Sequence, residues 1–475
     1  MSPACPAHAA PSLPDPERLR ALLDTLGAGL LERDAEIRLA LLAALAGEHV
    51  LLIGPPGTAK SELARRLHRA FTDAPYFERL LTRFSTPEEL FGPLSLKALE
   101  DDRYERLVAG FLPTAGVAFL DEVFKANSAI LNALLTLLNE REFDNGTGRL
   151  RTPLVSVVGA SNEVPADEAL QAFHDRFLVR LPIAPVSDDA FEALLQLPDQ
   201  PPEPVAQPID AAERAAIRQA AARVPLGTEA VEALQRLRAE LAGQQRGLSD
   251  RRWRQLVGLM RTAAATEGRA QVDAFDLWLV PCVAAAAPEQ VPALAQWVDR
   301  EIARAVPQDA PWLTRAVEAF EKQLEIEMSA EADGNAGDGA GKVALARAIS
   351  GGRDDDSAAG MMRLVSRQLE DQRRRRYSPV HIDARVAQVD ETIAPAQRRR
   401  DAERDAAEAL TLRLDGRLWI PSARMAGWLG AHVHTLAVLD SLLARLYAVR
   451  EGFASLPVDA QQTDAVAPEP VALSA

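Results

Sequence analysis

Leucines at 19, 22, 23, 26 and 30 recur at the three- and four-residue spacing of one helix face, so Arg18–Ala46 is expected to be helical and to pack beside the nearest folded domain. From there to about Val186 the pattern changes. Short, largely apolar runs (the one opening at Leu51, then Val117–Leu120, Leu154–Gly159 and Leu178–Ile183) alternate with helix-period stretches. A strand that is apolar on both faces must be covered on both, which predicts an α/β domain with a parallel sheet. The run Leu197-Pro198-Asp199-Gln200-Pro201-Pro202-Glu203-Pro204 is too proline-rich for helix or central strand and reads as a linker. Asp210–Arg304 is helix-period and alanine-rich, a small all-α lid hinged on that linker.

The last third is less patterned. Trp312–Met328 and Met361–Arg376 read as helices, the latter ending in four arginines, with a loose acidic Ser329–Gly341 between them. Leu410–Ile420 alternates around Asp415-Gly416, the signature of a two-residue hairpin. Ala431–Val449 is a final amphipathic helix. The expected organisation is therefore a disordered lead-in (1–15), an α/β core (16–196), a linker (197–209), an all-α lid (210–306), a mostly helical C-terminal region with a hairpin at 410–420 (307–454), and a disordered tail (455–475).

The chemistry is concentrated at a few points along the chain. The run at Leu51 breaks into Gly54-Pro55-Pro56-Gly57-Thr58-Ala59-Lys60-Ser61, followed by Glu62 and a helix. Such a turn points successive backbone N–H groups around phosphate oxygens, and the next helix aims its positive end at them. Lys60 can reach the β- and γ-phosphates, and the Ser61 hydroxyl can ligate Mg2+. The pattern asks for glycine before the lysine, and Ala59 stands there instead. Val117–Leu120 ends in Asp121-Glu122, which delivers two carboxylates to the carboxyl edge of a parallel sheet, where ligands bind. Asp121 is placed to hold Mg2+, and Glu122 to polarise an attacking water. After the third run, Asn162 can orient that water. Arg176, in Phe173-His174-Asp175-Arg176-Phe177, is a candidate finger for a neighbouring subunit's phosphate site, with Arg180 the alternative. Ser249 caps a helix that carries Arg251 and Arg252, either of which could return to the γ-phosphate.

The order GPPGTAKS, VAFLDE, ASNE, HDRF and LSDRR resembles the AAA+ ATPases. Its details resemble the MoxR branch, whose members also place alanine before the lysine. Thr82–Leu94, Leu131–Thr136 and Asn139–Phe143 resemble RavA-type regulatory ATPases. The likeness covers about residues 17–300. It implies an ATP/ADP site with Mg2+, with Lys60 and Ser61 the first nucleotide motif and Asp121 and Glu122 the second. It also implies Asn162 as first sensor, Arg176 as finger, Arg251 as second sensor, a hexameric ring, and a partner with a von Willebrand factor A domain. RavA-type proteins also carry a discoid domain that contacts a lysine decarboxylase; one hairpin leaves little room for it here, which argues against that partnership. Two inserts fit the branch. One is Leu94–Leu112; the other is a hairpin at Asn145-Gly146-Thr147-Gly148. In the family such inserts look toward the pore or face of the ring.

Composition narrows the rest. The chain has 475 residues, enough for about three domains, and a net charge of −15, which disfavours nucleic acid and anionic membrane as general partners. Cys5 and Cys282 have no paired spacing, and His432 and His434 are off the spacing of one helix face, so no disulfide or zinc framework is implied. No apolar run approaches the ~20 residues of a membrane span, and residues 1–15 lack the layout of a signal peptide, so a cytoplasmic protein is expected. A magnesium-chelatase-like motor and a transcription-associated ATPase are the rival readings. The latter would show a different loop in the first insert and a helix-turn-helix, and neither is visible.

Overall fold

The computed structural model describes residues 13–146, 148–165, 167–198, 203–244, 247–330, 375–459 and 466–472. The chain divides into two compact units: the chain up to Arg304 together with Leu414–Trp428, and Ala305–Arg413 together with the chain from Leu429.

The first unit opens with α1 (Pro16–Gly27) and α2 (Asp34–Ala46), where one helix was expected. The break comes from Gly29 at φ 75°, a left-handed conformation that no helix continues through. Asp15 caps α1, and its Leu19, Leu22, Leu23 and Leu26 are all buried. Then come β1 (Val50–Ile53), α3 (Lys60–Arg69), β2 (Tyr76–Leu80), α4 (Pro87–Phe91), α5 (Leu96–Glu100), β3 (Val117–Asp121), α6 (Ser128–Glu140), β4 (Glu142–Asn145), β5 (Gly148–Arg151), β6 (Ser156–Ser161), α7 (Glu168–His174), β7 (Val179–Pro182) and α8 (Asp188–Leu195). Five strands form one parallel sheet in the order β2-β3-β6-β1-β7, as the doubly apolar runs require. β1, β6 and β3 are buried along nearly their whole length. Because β6 lies between β1 and β3, their carboxyl ends meet at one edge.

The expected hairpin forms as β4 and β5, with Asn145 paired to Gly148. It is locked to the first insert. The Asn145 side chain accepts from the Arg106 N–H at 2.6 Å and donates to the Arg106 carbonyl at 3.2 Å, as a neighbouring strand would. Gly146 has φ 71°, and a Cβ there would stand 1.7 Å from the Tyr104 carbonyl oxygen.

The lid is built from α9 (Ala211–Arg223), α10 (Thr228–Gly243), α11 (Asp250–Thr266), α12 (Val280–Ala284) and α13 (Val291–Glu301). Asp210 and Glu213 close a capping box on α9, and Ser249 caps α11 as expected. Of the linker, residues 199–202 lie outside the described residues.

The second unit contains α14 (Pro311–Ser329), all but the last residue of α15 (Pro379–Leu414), and α16 (Ser422–Ala454) from Leu429 onward. Their core includes Leu313, Val317, Phe320, Val389, Leu439, Leu443, Leu446 and Phe453. The expected helix at Met361–Arg376 and loose segment Ser329–Gly341 fall almost wholly outside the described residues.

Two expectations are corrected here. The hairpin at 410–420 does not form: Leu410 to Leu414 end α15, and Arg417–Ile420 make an irregular elbow. Leu410 and Leu414, one helical turn apart, are both buried, while Leu412 is 78% exposed, so burial follows the helix period rather than the strand period. Gly416, at φ 73°, ends the helix instead of turning a hairpin. The elbow belongs to the first unit. Leu418, Trp419 and Ile420 are fully or almost fully buried; Glu267 accepts from both the Leu418 and Trp419 N–H groups, and Trp419 Nε1 donates to Thr266 at 2.8 Å. The tail is not wholly disordered either. Tyr377 bridges to Val458, the Glu469 carbonyl accepts from Arg385 at 2.7 Å, and Val471 packs on the helical core.

Candidate functional site

β1 ends at Ile53, and the turn after it is built for close approach. The Gly54 N–H donates to the Ser161 carbonyl at 3.0 Å, and a Cβ on Gly54 would stand 2.0 Å from the Ile183 carbonyl oxygen. Gly57 adopts φ 80° with open space where a Cβ would point. Thr58 ties the turn by donating to the Pro55 carbonyl. Ala59, at φ 63° and ψ 25°, is left-handed and caps α3 with no side-chain hydrogen bond. The first N–H groups of a helix have no partner within it. Here they lie open beside the glycine turn, the arrangement that suits a phosphate.

Lys60 begins α3 and is only 8% exposed. Its ammonium donates to the Gly54 and Pro55 carbonyls at 2.6 and 2.9 Å and to Asn162 Oδ1 at 3.4 Å. Burial lowers its pKa, against the opposing charges of Asp121 and Glu122. Across the same edge, Asp121 Oδ1 accepts from the Glu122 N–H at 3.0 Å. Glu122 stands at φ 51°, a strained conformation of the kind found at functional sites. Its carboxylate accepts from Asn162 Nδ2 at 2.7 Å and pairs with Lys125 at 3.2 Å. Lys60, Asn162 and Glu122, from three different strand ends, thus form one connected group, with Asp121 beside it. The Ser61 hydroxyl and Asp121 carboxylate are hard oxygen donors, the kind Mg2+ takes. Lys125 was not singled out in the sequence, where it reads as an ordinary surface lysine.

The arginines gather at the opposite edge of the sheet. Gly47 and Glu48 precede β1, whose four residues, about 13 Å long, lie between them and Gly54. Arg141 donates to the Gly47 carbonyl, and Arg251 donates to Asn139 at 3.0 Å, at the end of α6. Glu48 accepts from Gln255 of the lid, and burial raises its pKa to about 7. Arg176 sits between α7 and β7 at this edge; its Nε is buried with no hydrogen-bond partner among the described residues. Arg180 is buried, donating to the His174 and Ala285 carbonyls and to Asp175, so the alternative finger is committed to holding the fold. Arg252 is 3% exposed, and its two terminal nitrogens bond to four carbonyls and to Asp175. Arg251 bonds to Asn139 and Arg252 to the Asp175–Leu178 segment, both at this edge, a strand's length from the phosphate turn.

His432 is buried and bonded to Glu403 while His434 is exposed, so the two do not converge. Among the described residues, no helix is long and apolar enough to cross a membrane.

Residues 17–207 match the family described as the MoxR domain in the MoxR-vWA-beta-propeller ternary systems, and residues 229–298 match the AAA lid domain. Two uncharacterized proteins of Methanocaldococcus jannaschii are each 41% identical, over 261 and 262 residues. Those alignments cover 54% and 55% of this chain and 69% and 68% of the relatives. The MoxR protein of Paracoccus denitrificans is 31% identical over 185 residues, 37% of this chain and 53% of that protein. The matches name the MoxR branch as a whole and do not single out the RavA type. With the phosphate turn, the paired acids and the intervening asparagine already in place at one sheet edge, the chain belongs to the MoxR-type AAA+ ATPases.

Proposed function

We propose that this chain is the subunit of a cytoplasmic ring, six subunits around, that hydrolyses ATP to ADP and uses the cycle to remodel or mature a protein client. The single observation that carries the hydrolytic part is the Lys60–Asn162–Glu122 group. The turn from Gly54 to Ser61, with Glu62 behind it, holds the phosphates through backbone N–H groups and the Lys60 ammonium. Ser61 and Asp121 would hold Mg2+, whose charge offsets that of the phosphate oxygens. Glu122, oriented by Asn162, draws a proton from water. Asn162 and Lys125 each hold one oxygen of the Glu122 carboxylate, which keeps lone pairs free to accept from the water.

The ring is argued from where the arginines stand. Arg176 lies a strand's length from its own phosphate turn, so it can stabilise transition-state charge only in a neighbour's site. Arg251, exposed on the same edge, we take to act on a neighbour in the same way. An interface that joins one face of a subunit to a different face of the next closes by rotation. The family description names a von Willebrand factor A protein beside its MoxR domain, and we take such a protein as the partner of this ring. A lysine decarboxylase is not proposed as a partner, and the net charge of −15 disfavours DNA or an anionic membrane.

The test is complementation. Glu122→Gln should bind ATP and barely turn over. Arg176→Ala should bind and lose turnover. A mixture of the two should regain activity, because some interfaces then join an intact Glu122 to an intact Arg176. A mixture with no more activity than its parts would refute the shared site.

A further inference from the structure

The loop that carries Arg176 is held by the lid. Arg252, from the first turn of α11, donates to the carbonyls of Asp175, Phe177 and Leu178 at 3.2, 3.3 and 2.9 Å. It also donates to Asp175 Oδ1 at 3.0 Å and to the Val283 carbonyl at 2.5 Å. Three of these acceptors bracket Arg176 on both sides. Arg180 works on the same segment from β7, through His174 and Asp175. The two buried guanidiniums share one carboxylate, and their other hydrogen bonds go to main-chain oxygens. A planar fork with five donors can hold several carbonyls at once, which a lysine cannot.

We infer that Arg252 is a positioning residue for the finger: it ties the lid of a subunit to the loop that offers Arg176 to the next subunit. This rests on the reading of Arg176 as acting on a neighbour. Its consequence is a direction of information flow. A lid that shifts with the nucleotide state of its own subunit pulls on residues 175–178, and so moves the arginine that serves the site next door. Arg251, one residue earlier and about 100° around the helix, takes no part in that clamp. The adjacent arginines thus do different jobs.

Complementation also tests this inference, because it separates a residue that serves its own nucleotide from one that serves a neighbour's. Arg252→Ala in the full chain should lower kcat at least tenfold and leave KM for Mg-ATP within threefold. Arg252→Lys should rescue only part of the loss. Mixed one to one with Glu122→Gln, the Arg252→Ala subunits should regain activity, since about a quarter of randomly formed interfaces then combine an intact Glu122 with a correctly held Arg176. Mixed with Arg176→Ala they should regain nothing, because both partners lack a working finger. If Arg252→Ala is not recovered by Glu122→Gln while Arg176→Ala is, Arg252 serves its own site and the inference falls. If the Arg176→Ala mixture also fails, the shared-site reading falls and takes this one with it. Should Arg252→Ala not fold, Asp175→Ala removes the shared carboxylate from a half-exposed position and must give the same complementation pattern; near-normal turnover from that variant would overturn the inference.

Discussion

The elbow at Arg417–Ile420 is seated by charge as well as by apolar packing, which makes Arg417→Met an informative perturbation. Arg417 and Arg269 face three carboxylates, Glu267, Asp273 and Asp276, of which Glu267 and Asp276 are almost wholly buried. The cluster already carries an excess negative charge, and burial holds the Asp276 carboxyl up at about 6 despite both arginines. Removing one partner from a buried ionic cluster costs about 3–5 kcal/mol, because the charge left behind is uncompensated. Methionine fills much of the same channel, so the packing loss is small. The sign with pH comes from Asp276. Its folded-state pKa is raised, so its contribution to stability is full below about 4 and is lost as pH rises through 6. Without Arg417 that pKa rises further, so the variant should suffer more at pH 8 than at pH 5. The reporters are the Leu418 and Trp419 amides, which donate to Glu267 at 2.7 and 3.1 Å. A local loss of about 3 kcal/mol lowers their hydrogen-exchange protection about 100-fold at pH 8, by the tenfold per 1.4 kcal/mol that relates energy to equilibrium. Protection within threefold of the parent, or a deficit equal at both pH values, would refute this account of the elbow.

Three further outcomes are expected. Ala59→Gly relieves a left-handed alanine at about 1–2 kcal/mol but adds freedom to the unfolded chain, a net gain of about 1 kcal/mol, or a rise of about 2–4 °C in Tm by calorimetry. A lower Tm would mean that the turn is not strained there. Lys60→Ala removes charge-assisted hydrogen bonds to phosphate, each of about 1.5–3 kcal/mol, so fluorescent ATP titration should show affinity reduced at least tenfold; unchanged affinity would displace Lys60 from the site. The Glu48 carboxyl, raised from 4.5 to about 7 by burial, favours folding fully below pH 4.5, and that stabilisation is lost as pH rises to 7, on the order of 3 kcal/mol in all. Glu48→Gln should flatten the dependence of unfolding free energy on pH across that window, and parallel curves for parent and variant would contradict it.

The phosphate turn, the paired acids and Asn162 were legible because each is set by neighbours in sequence: a strand end, a turn, a helix start. Their convergence needed only the parallel sheet, which the doubly apolar runs already imply. The β4–β5 hairpin was legible for the same reason. The elbow was not, because Leu410, Leu412, Leu414 and Leu418 fit period two, while the buried pair Leu410 and Leu414 also fits a helical turn. An Asp-Gly step with a left-handed glycine serves a hairpin and a helix end equally, and only tertiary burial decides between them. The surroundings of the arginines were not legible, for a related reason. Arg251 and Arg252 are adjacent in sequence, yet one is exposed and one is buried, and nothing local says which edge of the sheet the lid covers. Lys125 beside Glu122 and Gln255 on Glu48 escaped notice because each depends on a contact the chain makes only once folded.

The lock between Asn145 and Arg106 has a consequence for how such proteins diversify. Along the chain, the two inserts are separate segments that could lengthen, shorten or be exchanged independently. In space they are one block, since an amide in one completes the main chain of the other and Gly146 leaves no room beside Tyr104 for any side chain. Replacing either insert alone strands the hydrogen-bonding groups of its companion. Natural variants should therefore change both together, and a chimera that borrows a relative's inserts should carry residues 92–111 and 142–151 as a single cassette while β3 and α6 between them stay native.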